Sequence, residues 1–271
     1  MMRKTLRSAS GQHAALSGNL IAYSVEDGIA KIYLNNPPLN ILNMNLMREL
    51  GDAVDRASHD ASVRAILVGT RIEKAFSAGA DVKEHLPDKA PYMLDEFKKL
   101  IEKILFNEKP TVAAVKGACL GGGFELAMAF DFVVAGNSAV FGTPEIRLSS
   151  MPPIAAILMP RISGIRGALR VVLLGENITA QDAAGMGMLT KVVPDNEVDA
   201  EALKIARSAA GLSLAAVKIL KKVFWAGLVM DLSEGFQHAN DTYVKELIKT
   251  QDGVEGLRAF LEKRKPVWSD R

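Results

Sequence analysis

A single cysteine, Cys119, occurs in 271 residues, which excludes an internal disulfide framework and fits a reducing compartment. No apolar run approaches the roughly 20 residues of a membrane span, because Lys and Arg interrupt every candidate. Net charge is equally scarce. With 33 Lys and Arg against 31 Asp and Glu the chain carries +2 at pH 7. It also lacks the interleaving of basic and aromatic residues that marks nucleic-acid surfaces, so no nucleic-acid partner is expected. His13, His59, His85 and His238 are dispersed without metal-ligand spacing, so no metal is expected either. Short-period repeats and low-complexity segments are absent. What remains is an ordinary globular composition, 49% apolar and 24% charged. The length suits one large domain, or a domain with an appendage.

The chain divides into three parts by pattern. Residues 1–18 hold Arg3, Lys4 and Arg7 among Ser, Ala and Gly, with no acid before Glu26. They read as a flexible N-terminal arm, the other reading being a transit-like peptide; no apolar stretch follows the charges, as secretion needs. The first reading implies a cytoplasmic protein and the second an organellar matrix. Residues 19–196 alternate strands and helices, the pattern of an α/β layered domain. A hairpin is expected at 21–25 and 29–34, and a turn at 35–39, where Pro37 and Pro38 cannot continue a ladder. Helices are expected at 43–59 and 92–106, and strands at 63–68, 112–115, 132–135 and 139–141. Residues 197–271 read as almost wholly helical, over 197–222, 232–249 and 254–263.

The strongest local signal is strand, glycine turn, helix at residues 116–128, where four glycines interrupt the strand and a helix follows over 122–130. Unpaired N–H groups and the helix dipole at such an N-terminus favour negative charge. A dinucleotide turn fails, because Leu126 stands where the third glycine belongs, and Glu145 lies beyond a second strand. A phosphate loop fails for want of a closing Lys-Ser/Thr pair. An oxyanion hole for a thioester enolate, with the Gly122 N–H as one donor, survives. A tight packing turn without function fits the spacing as well. Two further segments stand out. Residues 75–84 are small and could expose backbone amides, or form a plain turn capped by Asp81. In residues 141–146, Pro144 fixes the backbone before Glu145 and so aims its carboxylate. Glu125 sits in a first helical turn that is otherwise apolar, so burial is expected to raise its pKa toward neutrality. Cys119 reads as a small buried filler and His85 as a surface histidine.

Residues 76–84 (FSAGADVKE), 109–128 (KPTVAAVKGACLGGGFELAM) and 141–146 (FGTPEI) together resemble the crotonase superfamily. So do 173–187 (LLGENITAQDAAGMG) and 257–265 (LRAFLEKRK), in the same order and spacing. The similarity runs from about residue 20 to the C-terminus. It implies an α/β fold, a crotonase (ClpP-like) spiral of ββα units, followed by helices that drive trimerisation, as a trimer or a dimer of trimers. It implies an enoyl-CoA hydratase, a hydro-lyase adding water across the double bond of an acyl-CoA. The Ala80 and Gly122 amides would form the oxyanion hole. Glu125 would orient and deprotonate the water, and Glu145 would deliver a proton to the α-carbon.

No cofactor is implied beyond the coenzyme A of the substrate itself. Its bent form would lie against the backbone of Ala78, Ala80, Asp81 and Val82, with Lys83, Phe260 and Lys263 toward the phosphates. The tail residues would serve a neighbouring subunit, although a solvated helix end is the other reading of residues 263–265. Pro144 and Pro153 would flank the acyl group. Where simple hydratases carry a glycine-rich P-G-x-G-G-T-Q-R, this chain has MPPIAAILMPR at 151–161. That stiffer, more apolar wall, with PPLNIL at 37–42 and EHLPD at 84–88, is similar to the cyclohexa-1,5-dienecarbonyl-CoA hydratases. A cyclic dienoyl-CoA substrate is therefore expected. Isomerisation in the same fold is the nearest alternative, but it can run on one acid/base residue and here there are two. A non-catalytic, RNA-binding relative is the alternative from a different class.

Overall fold

The computed structural model describes residues 20–271; the arm expected at 1–18 lies outside them. Strands β1 (Ile21–Glu26) and β2 (Ile29–Leu34) form an antiparallel hairpin, with Glu26 opposite Ile29. Its loop is two residues, Asp27 and Gly28, at φ 51° and 75°. Positive φ at both central residues matches the right-handed twist of the strands, which is why Asp-Gly sits there.

Helix α1 (Met44–His59) is capped by the Asn43 side chain, which accepts from the Leu46 N–H, and it buries Leu46, Met47, Leu50 and Val54. Then come β3 (Ala65–Thr70), β4 (Ala75–Ser77) and α2 (Ala90–Leu105), which packs on α1. The same unit repeats twice: β5 (Thr111–Val115), β6 (Ala118–Leu120) and α3 (Gly122–Ala127); then β7 (Phe132–Gly136), β8 (Val140–Gly142) and α4 (Ala155–Val172). The short β9 (Ile178–Thr179), α5 (Ala180–Gly185) and β10 (Lys191–Val193) finish this part.

From β3 to β8 successive strands go alternately to two different sheets. One sheet has the order β1-β2-β3-β5-β7-β10, parallel from β2 onward; the other has β4-β6-β8-β9. The chain therefore winds as ββα turns, the spiral expected from the resemblance. β3 and β5 are buried along their whole length, as parallel strands covered on both faces are. Their side chains alternate accordingly. Ile66, Val68, Ala113 and Val115 face the main core with α1 and α2; Ala65, Leu67, Val112 and Ala114 face a second, smaller core.

The second core is closed by α6 (Val198–Ala210), through Val198, Ala202, Ala206 and Ala210. By its contacts this first helix after residue 196 is part of the sheet's cover. The helical run expected over 197–222 is broken at Gly211–Ser213, where the Ser213 side chain caps α7 (Leu214–Gly227) by accepting from the Ala216 N–H. α8 (Leu232–Lys245) packs on α7, and α9 (Gln251–Leu261) on α7 and the 3-10 turn Leu247–Lys249. The last residues fold back onto this bundle. Buried Asp252 accepts from Ser213 Oγ at 2.6 Å, Ser269 N at 2.7 Å and Asp270 N at 3.0 Å, and Asp270 pairs with Arg64.

Candidate active site

The site forms where the second sheet hands the chain to its helices. Gly117, at φ 63°, moves the chain from β5 to β6; a methyl there would lie 2.2 Å from the Lys74 carbonyl oxygen. The glycine segment is thus not one turn. It contains β6, paired with β4 and β8, and only Gly121 to Gly123 make the entry to α3. The helix ends at Ala127 rather than 130, because Ala129 and Phe130 donate to the third residue back, the tighter 3-10 pattern.

Two backbone amides converge here. β4 runs out through Ala78, whose N–H bonds the Leu39 carbonyl, and Gly79 at φ 109°. Ala80 bridges Leu42 in parallel: Leu42 N donates to Gly79 O at 2.9 Å and Asp81 N to Leu42 O at 3.1 Å. That pairing directs the Ala80 N–H away from Leu42. Gly122 is the first residue of α3, so its N–H has no acceptor within the helix. A methyl on Gly122 would lie 3.4 Å from Ala80 N, and one on Gly123 would lie 2.6 Å from the Ser77 carbonyl oxygen. At Gly123 only glycine allows the two segments to approach this closely.

Glu125 is 3% exposed. Its Oε1 accepts from Ile154 N at 2.8 Å and Ala155 N at 2.9 Å, so the start of α4 clamps the carboxylate. Burial pushes its carboxyl up to about 7; the Ala155 and Ile154 N–H groups pull it down, and the Glu145 charge pushes it further up. Glu145 lies in the 3-10 turn Pro144–Leu148, with Pro144 at its first position. Its carboxyl is raised by burial, against the pull of its own backbone N–H and of His85. Its Oε2 is buried without a hydrogen-bond partner, and a methyl on Gly121 would lie 2.6 Å from its Oε1.

Glu125, Glu145, Ala80 and Gly122 are therefore neighbours. So are Ala78 and Asp81, and the Asp81 carboxylate accepts from the Lys83 N–H at 2.9 Å. Val82 is 63% exposed on the outer side of this turn. Half-buried Pro153 stands at the approach to α4, next to the Ile154 amide that holds Glu125. Phe260 stands apart on α9, 82% exposed, and Lys263 just beyond it is also exposed. Cys119 is fully buried and burial pushes its thiol well up, which leaves it inert.

The anchoring amides of Ile154 and Ala155 and the close approach at Gly121 are not apparent from sequence spacing. A Pro-Pro pair ahead of an apolar helical run is the one signal that free N–H groups lie there. His85 differs from its reading as a surface residue: it is half-buried and within electrostatic reach of Glu145. Among the described residues no group of three or more His, Cys, Asp or Glu is placed to hold a metal, and no helix is long and apolar enough to cross a membrane.

A family model described as enoyl-CoA hydratase/isomerase matches residues 24–271. The chain is 38% identical over 249 residues to a protein of Dictyostelium discoideum named probable mitochondrial enoyl-CoA hydratase, covering 90% of this chain and 88% of that one. It is 36% identical over 259 residues to a probable enoyl-CoA hydratase of Rhizobium meliloti, covering 94% and 100%. The crystal structure of an enoyl-CoA hydratase from Bacillus anthracis superposes with a TM-score of 0.88 at 31% identity, over 93% of this chain and all of that one.

Proposed function

We propose that this chain, which belongs to the enoyl-CoA hydratase/isomerase family and so to the crotonase superfamily, is a hydro-lyase that adds water syn across the conjugated double bond of an acyl-CoA thioester. One observation carries the choice of hydration over isomerisation: two carboxylates, buried Glu125 and half-buried Glu145 with its Oε2 enclosed, lie at the same glycine turn as a pair of free amides. Moving a double bond needs one group that carries a proton between carbons. Adding water needs one that takes a proton from oxygen and one that gives a proton to carbon.

In this reading the thioester oxygen lies between the Ala80 and Gly122 N–H groups. Negative charge builds on that oxygen as the β-carbon is attacked, and donors fixed in advance stabilise it, an effect worth about 3–4 kcal/mol in other oxyanion holes. Glu125, clamped through Oε1, keeps its second oxygen for the water and removes its proton. Glu145, raised by burial, holds a proton for the α-carbon. Coenzyme A arrives with the substrate and no group is held permanently. It lies along Ala78, Ala80, Asp81 and Val82, with Lys83 at the phosphates and Phe260 and Lys263 supplied by a neighbouring subunit. Self-association as a trimer, or a dimer of trimers, is supported by the apolar faces of α7 and α8, where Leu220, Phe224 and Phe236 are more than half exposed. We assign residues 197–271 to that role, apart from α6.

The acyl group is read from Pro152, Pro153 and Ile154. This stiff apolar wall beside Glu125 favours a flat alicyclic dienoyl thioester. The test is a panel of crotonyl-CoA, longer linear enoyl-CoA esters and cyclohexa-1,5-diene-1-carbonyl-CoA, with product identified by mass. Gain of one water on the cyclic ester, at the highest kcat/KM of the panel, is expected. Preference for a linear ester overturns the ring assignment, and products without added water overturn hydration.

The pH dependence follows from Glu125. It must be ionised to take the water's proton and it titrates at about 7, so kcat/KM falls about tenfold per pH unit below that point. A profile level down to about pH 5 would remove Glu125 as the base.

A further inference from the structure

The segment PPLNIL at 37–42 has no part in the hydration scheme, yet its one polar side chain, Asn40, is fully buried. Asn40 Nδ2 donates to Thr70 Oγ1 at 2.8 Å, Phe76 O at 3.0 Å and Ala75 O at 3.1 Å, and Oδ1 accepts from Asn36 N at 2.8 Å. These partners fix the orientation of the amide, because the opposite one would set its oxygen against two carbonyls. Ala75 and Phe76 belong to β4, which runs on into Gly79 and Ala80. The Asn40 backbone is at φ 50°, a left-handed conformation that Asn and Asp tolerate better than other residues with a side chain. The residues on either side of it grip the oxyanion turn. Leu39 O accepts from Ala78 N at 3.0 Å, Leu42 N donates to Gly79 O at 2.9 Å, and Leu42 O accepts from Asp81 N at 3.1 Å. The Gly79 N–H goes to Ser77 Oγ at 3.1 Å. Three of the four N–H groups of residues 78–81 are thus engaged, and the fourth is the Ala80 N–H beside Gly122.

We infer that Asn40 is a positioning residue for the oxyanion hole: by tying residues 39–42 to β4, its carboxamide fixes where the Ala80 N–H stands. This rests on the reading of Ala80 and Gly122 as donors to the thioester oxygen. The turn cannot aim that donor by itself, because Gly79, at φ 109°, is the least restricted residue of the chain's path into Ala80. The aim is imposed from the neighbouring segment. Its backbone bonds hold the residues flanking Ala80, and the Asn40 side chain locks those bonds in register with the Ala75 and Phe76 carbonyls. An asparagine suits the task because one short side chain presents both donors and an acceptor. Aspartate lacks the donors, and an apolar residue withdraws all four bonds inside the core.

Asn40→Asp and Asn40→Gly both suit the left-handed backbone and remove the donors, and Thr70→Val removes one acceptor at nearly constant shape. For each, kcat and KM are measured on the panel ester that the wild type turns over. Infrared difference spectra give the thioester C=O stretch of the saturated analogue of that ester when bound. Sites are counted by analogue bound per chain, so kcat refers to folded protein. The kcat of both Asn40 variants should fall about 10–10²-fold, with KM within about threefold of wild type. Two donors polarise the carbonyl, so wild type should lower the stretch, and both variants should return much of that shift. Thr70→Val should lose kcat several-fold, with a smaller return of the shift. Unchanged kcat, a loss confined to KM, or a loss of kcat at the wild-type frequency would overturn the role. If neither Asn40 variant binds the analogue, Thr70→Val decides by the same criteria. A wild type that moves the double bond without adding water refutes hydration and leaves the role of Asn40 standing, since an enolate forms in both reactions. A wild type that leaves the bound carbonyl at its free frequency refutes the oxyanion hole, and the role of Asn40 with it.

Discussion

Glu125→Gln is expected to lower hydration about 10³-fold and, above pH 7, to make the protein more stable. Both effects have one origin. The glutamine oxygen can still accept from Ile154 and Ala155 N–H, so the clamp survives. What disappears is the charge that, in the proposed mechanism, takes the water's proton. That charge is costly to hold at a site 3% exposed. In the unfolded chain the carboxyl titrates near 4.5, and in the folded protein near 7. Between these values the native state binds the extra proton, so stability falls as pH rises from about 4.5 to about 7, and the whole penalty is present above 7. The shift corresponds to about 3 kcal/mol, an upper figure because glutamine must also place its NH2 group. Kinetics and thermal melts at about pH 5 and 8 test this together: the variant should melt above wild type at the higher pH and lose that advantage at the lower. Glu145→Gln should lose a similar factor in kcat, with acyl-CoA binding retained. Near wild-type turnover in either variant on the true substrate ends the two-carboxylate mechanism.

Gly121→Ala should cost about 10²-fold in kcat without touching either carboxylate chemically. Gly121 has φ 52° and ψ −131°, a conformation that side-chain-bearing residues rarely adopt. The added methyl would lie 2.6 Å from Glu145 Oε1, so the carboxylate or the turn must move by a large part of an ångström. A displacement of about 1 Å from the reacting geometry is enough for a loss of this size. Strain adds about 1–3 kcal/mol of destabilisation. Gly185→Ala is the control, because a methyl there meets nothing within 4 Å. If Gly121→Ala is as active as Gly185→Ala, the packing of Glu145 against the glycine turn does not set its aim.

The features legible in the sequence are those that repeat along the chain or stand at a turn with fixed chemistry. The continuous apolar runs of β3 and β5, the three-and-four spacing of α1 and the Asp27–Gly28 loop are of that kind. Strand 63–68 lies instead at Ala65–Thr70, because Val63 N turns back to Asp60 O and Gly69 and Thr70 pair with Tyr33 and Leu34. The second sheet, apart from β8 expected at 139–141, is hidden for a simpler reason. Strands of two or three residues cannot display a period of two, and only their neighbours in the spiral define them. Gly211 conceals the end of α6, because a glycine within a helical pattern is tolerated about as often as it terminates one. In the site, the apolar surroundings of Glu125 announce its burial. The relation of His85 to Glu145 has no counterpart in spacing, since each residue sits alone on a short turn.

The clamp on Glu125 has a consequence for anyone who wishes to redirect the enzyme. The N–H groups that hold this carboxylate belong to Ile154 and Ala155, inside the stretch one would exchange to admit a different acyl group. Grafting a flexible glycine-rich loop there loosens two donors as well as widening a wall, and so shifts how readily Glu125 gives up its proton. Under the proposed mechanism, selectivity and the working pH of the base are therefore inherited together, and a swapped loop has to be selected for both at once.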